Sequence, residues 1–156
     1  MRGYYAAQIC ENGHLVTEWG PDPSMKFCQA CGARVINQCS SCGEDIPGQP
    51  EGSFSAGQPD VASGRTCCRN CGKPYPWTER RLGSLEKLLV MGASDTQKAE
   101  LAEDLPALVT SSPSTEAAAT RFKLFLKAAK PEVVAVARAV ITEAACAAAE
   151  PIISPG

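Results

Sequence analysis

The chain is poor in aromatic residues, 6% of its 156 positions, and it holds a single histidine, His14. No apolar run suits a bilayer span, because the most apolar stretch, near the C-terminus, is largely alanine and is interrupted by Arg138 and Glu143. The N-terminal residues MRGYYAAQICENGH lack the apolar core and cleavage site of a secretion signal, which points to the cytoplasm. Also missing are a phosphate-binding glycine motif, a paired-carboxylate site, a nucleophile with a spaced base and an open three-ligand zinc site, so the expectation is a protein without enzymatic activity. A formal net charge of −2 gives no long-range attraction to nucleic acid, although a local basic patch stays open.

What the chain has is cysteine, and eight of its nine cysteines precede Trp77. Composition changes sharply there, from a cysteine- and aromatic-bearing half to one rich in Ala, Leu, Val, Lys and Glu. The boundary predicts two regions, 1–78 and 79–156. The first contains few large aliphatics, and a fold of that size with so small a core needs metal or disulfides. Spacing favours metal. Cys10 with His14, Cys28 with Cys31, Cys39 with Cys42 and Cys68 with Cys71 form four close pairs, eight donors in all. Two tetrahedral zinc ions per chain would use every one of them. Seven thiolates and two divalent ions would then take the net charge to about −5.

Local chemistry supports each pair. Asn12-Gly13 is a turn dipeptide that brings Cys10 and His14 to one point. Gly32 and Gly43 follow the second cysteine of their pairs, where a left-handed backbone turns N–H groups toward the thiolates. Tyr4, Tyr5 and Ile9 predict a short strand entering the first pair, LVTEWGPDPSMKF a hairpin-like excursion, and Ala33 to Gln38 a strand shared by the two sites. The Gly-, Pro- and Ser-rich segment EDIPGQPEGSFSAGQPDVASGRT reads as one long loop. Cys68 rather than the adjacent Cys67 has the spacing to pair with Cys71, leaving Cys67 to pack inward, substitute as a ligand or react. Sequential, crossed and nested ligand pairings all remain open; the sequential one, Cys10, His14, Cys28 and Cys31 against Cys39, Cys42, Cys68 and Cys71, keeps loop closure short.

The segments YYAAQICENGH, KFCQACGA and CRNCGKPYPWTE resemble an uncharacterised bacterial family, a domain of unknown function with tandem zinc ribbons at its N-terminus. The resemblance covers residues 3–80, and more loosely the tail around TEAAATRFKLFLKAA. It implies a double zinc ribbon and the eight metal ligands named above, with no catalytic role. The expected fold class is therefore a small metal-stabilised β region followed by an all-α C-terminal region.

Four helices are expected in the second half, at about 79–91, 95–105, 116–130 and 131–149. Thr78 is the candidate N-cap of the first, and Ser94 with Gln97 has capping-box spacing for the second. In the third, Ala118, Phe122, Phe125, Leu126 and Ala129 form an apolar stripe opposite Arg121, Lys123, Lys127 and Lys130. The last, with Val133, Val134, Val136, Ala137, Val140, Ile141, Ala144 and Ala148, calls for burial on several sides, and Cys146 reads as an apolar helix residue. The leading expectation is an adaptor or regulatory protein whose loops bind a protein partner and whose helical tail docks or self-associates. The alternative is a nucleic-acid-binding ribbon using Arg65, Arg69, Lys73, Tyr75 and Trp77, cations beside aromatics that could hold a single strand. Tyr75 and Trp77 read more simply as packing between ribbon and helix. A thiol–disulfide role for the C-x-x-C pairs is a third reading. A membrane-surface role is disfavoured, since the basic helix face reads as a solvated one.

Overall fold

A computed structural model describes residues 3–52, 65–110, 112–144 and 149–153. The chain divides into two compact units, Met1–Thr78 and Glu79–Gly156.

The first unit is built from short strands: β1 (Tyr4–Ala6), β2 (Gln8–Cys10), β3 (Leu15–Thr17), β4 (Val35–Ile36) and β5 (Pro47–Pro50). They form two antiparallel sheets, β1 with β5, and β3-β2-β4 with β2 in the centre. The expected single N-terminal strand is thus two strands in different sheets, which part at the buried Ala7. The expected Ala33–Gln38 strand shrinks to Val35–Ile36, extended by isolated bridges from Arg34 to Phe27 and from Gln38 to Asp45.

β5 corrects the long-loop expectation. Its sequence, Pro-Gly-Gln-Pro, opposes strand formation, yet the surrounding backbone accepts it: Ala7 donates to the Ile46 carbonyl at 2.7 Å and Gln49 to that of Glu18 at 2.9 Å. The remainder of that segment, including Phe54 and Val61, lies outside the described residues.

The core of this unit consists of Ala7, Ile9, Cys39, Ile46, Cys68, Tyr75 and Trp77. Two of the seven are candidate metal ligands, so little of the core is purely apolar. Such a core is too small to hold a fold of this size alone. Tyr75 and Trp77 stack at 4.6 Å between centroids, and the Trp77 indole N–H donates to the Arg65 carbonyl at 2.7 Å.

The second unit is helical, with α1 (Pro76–Gly92, beginning in the first unit), α2 (Asp95–Val109), α3 (Thr115–Ala128), α4 (Pro131–Ala144) and a short α5 (Glu150–Ile153). Its core joins Leu85, Leu88 and Leu89 with Leu101, Leu105, Leu108, Phe122, Phe125 and Leu126, among others. α1 starts at Pro76 and not after Thr78, because proline suits the first helical position, where no N–H is required. The Thr78 hydroxyl donates to the Thr66 carbonyl at 2.6 Å and does not cap the helix. Ser94 caps α2 in a full capping box with Gln97. The expected end of α2 near residue 105 is exceeded: Pro106 sits inside the helix, and Leu105, Leu108 and Val109 are each 1% exposed. Burying two further apolar side chains, each worth roughly 1.5–3 kcal/mol, offsets the roughly 3 kcal/mol that an interior proline costs.

α3 begins at Thr115, whose buried hydroxyl donates to the Ala107 carbonyl at 2.9 Å and ties the α2–α3 connection. Its apolar stripe is buried as expected, except that Ala129 is half-buried beyond the helix end. The basic face is not wholly free. Arg121 grips the buried Asp104 through two 2.6 Å hydrogen bonds, which raises the guanidinium pKa. α4 is described as far as Ala144, and the expected continuation through residues 145–148, Cys146 included, lies outside the described residues. The expectation of burial on several sides is not met where its side chains are described: Ala137 is buried, Val133 and Val140 are half-buried, and Val136 is 52% exposed. Among the described residues, no helix is long and apolar enough to cross a membrane.

Candidate metal centres

Three segments of the first unit fold identically. In Cys28–Ala33, Cys39–Glu44 and Cys68–Lys73, the first cysteine's N–H donates to the carbonyl five residues on, and the glycine's N–H donates back to the first cysteine's carbonyl, all at 2.8 Å. Gly32, Gly43 and Gly72 take φ of 71°, 73° and 70°, a left-handed conformation that glycine adopts without Cβ strain. This geometry places the two sulfurs of each C-x-x-C side by side. The fourth segment, Cys10 to His14, closes differently: Gly13 N–H donates to the Cys10 carbonyl at 2.8 Å and Cys10 N–H to that of His14 at 3.0 Å. Five residues then do the work of a knuckle, with an imidazole as the second donor.

The four segments converge in pairs. Cys10, His14, Cys28 and Cys31 form one cluster and Cys39, Cys42, Cys68 and Cys71 the other, with all donor atoms of each cluster within 4.8 Å of one another. Of the three arrangements the sequence leaves open, the sequential one is the one assembled here. In both clusters the first donor of each pair is buried and the second exposed.

Distances discriminate between a metal site and a disulfide. The Cys10–Cys31, Cys39–Cys71 and Cys42–Cys68 sulfur separations are 3.7, 3.8 and 3.6 Å, whereas a disulfide requires about 2.05 Å. A tetrahedral ion with metal–sulfur bonds of about 2.3 Å has sulfur–sulfur edges near ~3.8 Å. The same construction with a metal–nitrogen bond of about 2.05 Å gives sulfur–nitrogen edges near ~3.6 Å. His14 Nδ1 lies 3.5, 3.3 and 3.7 Å from the sulfurs of Cys10, Cys31 and Cys28. Both clusters therefore have the dimensions of closed four-donor sites, one of three sulfurs and a nitrogen and one of four sulfurs, consistent with zinc.

Polar groups around the donors favour thiolate at particular sulfurs. Cys31 is lowered to about 6 by the Ala33 backbone N–H and by the Asn12 side-chain amide, which donates to its sulfur at 3.4 Å. At Cys68, burial opposes ionisation, but the Cys71 and Asn70 N–H groups bring the thiol down to about 6. Cys71 moves the other way: the Lys73 N–H lowers it, yet burial and the neighbouring sulfurs of Cys42, Cys68 and Cys39 push it up to about 11. Burial also raises Cys10. Without a cation, four adjacent thiolates cannot coexist, and a divalent ion supplies the charge that they require. Asn12 was readable as a turn former; its contact with Cys31 across the cluster was not, because it depends on the pairing of distant segments.

Cys67 is half-buried, bridges Pro74 in the backbone and belongs to neither cluster. Among the nucleic-acid candidates, Tyr75 and Trp77 are each 2% exposed, so neither ring face is available to a base. Both rings are buried in the ribbon core, and Trp77, in the first turn of α1, seats the start of that helix on the ribbon, in line with the packing reading. Arg69 lies over the Tyr4 ring at 4.1 Å, donates to the Tyr4 hydroxyl and pairs with Glu44 at 3.2 Å. Arg65 is half-buried and Lys73 exposed.

A β unit organised by two closed thiolate-rich clusters, each made of two knuckle-like turns from separate hairpins, defines a tandem zinc-ribbon protein with a helical C-terminal region. The family model that matches spans residues 3–153, so both units are part of the family and not the ribbons alone. The chain belongs to this family, described as an uncharacterized protein conserved in bacteria (DUF2321). No curated protein and no solved structure matches it.

Proposed function

We propose that the protein is a non-enzymatic, cytoplasmic scaffold that binds two structural zinc ions and uses its ribbon surface to hold a protein partner, with the helical unit available for docking or self-association. The observation that carries this reading is the closure of both clusters by four protein donors. A catalytic zinc keeps a position for water or substrate, and a site with four protein ligands offers none. Zinc is the ion that suits mixed thiolate–imidazole tetrahedra in a protein stabilised by little else. Trp19 and Phe27, 50% and 65% exposed on a unit with so few large apolar residues, supply partner-binding surface. The single-strand-binding alternative loses its stacking platform through the burial of Tyr75 and Trp77.

The test is affinity capture from a bacterial host with the zinc-loaded chain as bait, followed by reconstitution of the complex from purified components. One reproducible protein partner, lost on chelation of the metal, is the expected result. Turnover of a substrate that depends on the metal, or capture of nucleic acid alone, would reject the scaffold reading.

A further inference from the structure

The three-stranded sheet continues one rung past β4. Cys28 N–H donates to the Ala33 carbonyl at 2.8 Å, Val35 N–H donates to the Lys26 carbonyl at 3.0 Å, and Phe27 faces Arg34 as an antiparallel bridge. Bonds placed on either side of the bridge make it a non-hydrogen-bonded pair, so the N–H and C=O of Phe27 itself point away from β4. Among the described residues, no backbone or side-chain group meets them. Among the described residues, the sheet thus ends in an open rung. Unpaired strand edges are templates for an added strand.

Chemistry beside this edge is specific. A groove of about 300 Å³ has Pro23, Met25, Phe27 and Val35 in its walls, together with Lys26 and Arg34. Phe27 and Met25 are 65% and 37% exposed. The groove is held open from within: the buried Gln8 side chain donates to the Asp22 carbonyl and accepts from the Asp22 N–H, both at 3.0 Å. Asp22, the one carboxylate in the walls, is occupied by Ser24, whose hydroxyl and N–H donate to it at 2.7 and 2.9 Å and lower its pKa. Lys26 and Arg34 are exposed, and among the described residues no carboxylate pairs with either.

We propose that this edge docks an extended, acidic segment of a partner protein, added as a strand beside Phe27, with an apolar side chain in the groove and carboxylates on Lys26 and Arg34. The inference rests on the scaffold reading above and names its surface and the class of its partner. A donor and an acceptor that no described residue meets select extended backbone, Phe27 and Met25 select an apolar side chain between polar ones, and two cations that pair with no described carboxylate select carboxylates.

The experiment uses the full, zinc-loaded chain and a fluorescein-labelled nonapeptide of alternating Glu and Val, read by fluorescence anisotropy. Three comparisons accompany it: the same peptide with Gln for Glu, the same peptide N-methylated at its central residue, and a labelled oligothymidine. The expected result is binding of the acidic peptide that weakens at least about tenfold in each peptide control and in the double variant Lys26→Glu/Arg34→Glu. Metal content measured on that variant should stay at the wild-type value, showing that the fold persists. No binding of the acidic peptide, equal affinity for the Gln peptide or the N-methylated peptide, an unchanged double variant, or tighter binding of oligothymidine at these residues would overturn the proposal. A cellular partner captured equally by wild type and double variant would remove this edge while leaving the scaffold reading in place.

Discussion

Gly48→Ala should destabilise the ribbon unit more than any other single methyl addition at a described glycine of that unit. A Cβ at position 48 would lie 2.3 Å from the Glu18 carbonyl oxygen and 2.7 Å from that of Tyr5. Both atoms are backbone, so no side-chain rotation relieves the overlap. Restoring ordinary contact requires β5 to move by about an ångström, since ordinary Cβ contacts lie at 3.4–4 Å. That displacement breaks the 2.9 Å bond from Gln49 to Glu18 and loosens the pairing of β5 with β1. Overpacking of this kind costs about 1–3 kcal/mol, and the lost hydrogen bond adds about 0.5–1.5 kcal/mol. A total of about 2–4 kcal/mol corresponds to a fall in Tm of at least ~10 °C for a unit of this size. Thermal unfolding of the metal-loaded chain followed by tryptophan fluorescence measures it, with Gly3→Ala as control because nothing lies within 4 Å of a Cβ there. Equal melting of Gly48→Ala, Gly3→Ala and wild type would refute the packing of β5 described here.

The remaining predictions probe the ligands, the core and the helical unit. Cys68→Ser should lower the metal content from two ions to one, whereas Cys67→Ser should leave it unchanged by elemental analysis, since Cys67 lies outside both clusters. Metal affinity should fall with acidity: Cys71, raised to about 11, is protonated at neutral pH in the metal-free chain and must release that proton on binding. Competition with a chelator of known affinity should therefore show the second site weakening at least about tenfold per pH unit as pH falls from 8 to 6. Trp77→Phe removes the indole that donates to Arg65 and should destabilise the ribbon by about 1–3 kcal/mol in denaturant titration. Arg121→Met leaves the buried Asp104 carboxylate without its two 2.6 Å donors. Because the arginine is itself half-exposed, the expected effect is a modest loss of stability in denaturant titration, and Asp104→Asn in the same background should recover part of it.

Most of the site was legible from spacing, because a C-x-x-C-G turn is a local structure: its backbone bonds and left-handed glycine lie within six residues. The existence of the helices was legible for the same reason, through apolar periodicity and the Ser94–Gln97 capping box. What stayed hidden was non-local. β5 carries two prolines and a glycine, and only the carbonyls of Glu18 and Ile46 and the pairing with β1 explain why it is a strand. Tyr75 and Trp77 were legible as packing residues, but their neighbours were not: the fold sets them among Ile9 and Ile46, a grouping that the order of the chain does not reveal. Arg69 reads as a free cation until the fold brings Tyr4 and Glu44 beside it. Pro106 marks a helix end by local rules, and the burial of Leu108 and Val109 overrides them.

The central claim is that each of the two clusters closes around one tetrahedral ion. Elemental analysis of the purified chain combined with optical spectra after cobalt substitution tests it most directly. The prediction is two ions per chain, both with the intense visible bands of tetrahedral cobalt, and with His14→Cys shifting one of the two spectra toward the other as three sulfurs and a nitrogen become four sulfurs. One ion per chain, or weak bands showing five- or six-coordinate cobalt with bound water, would contradict it.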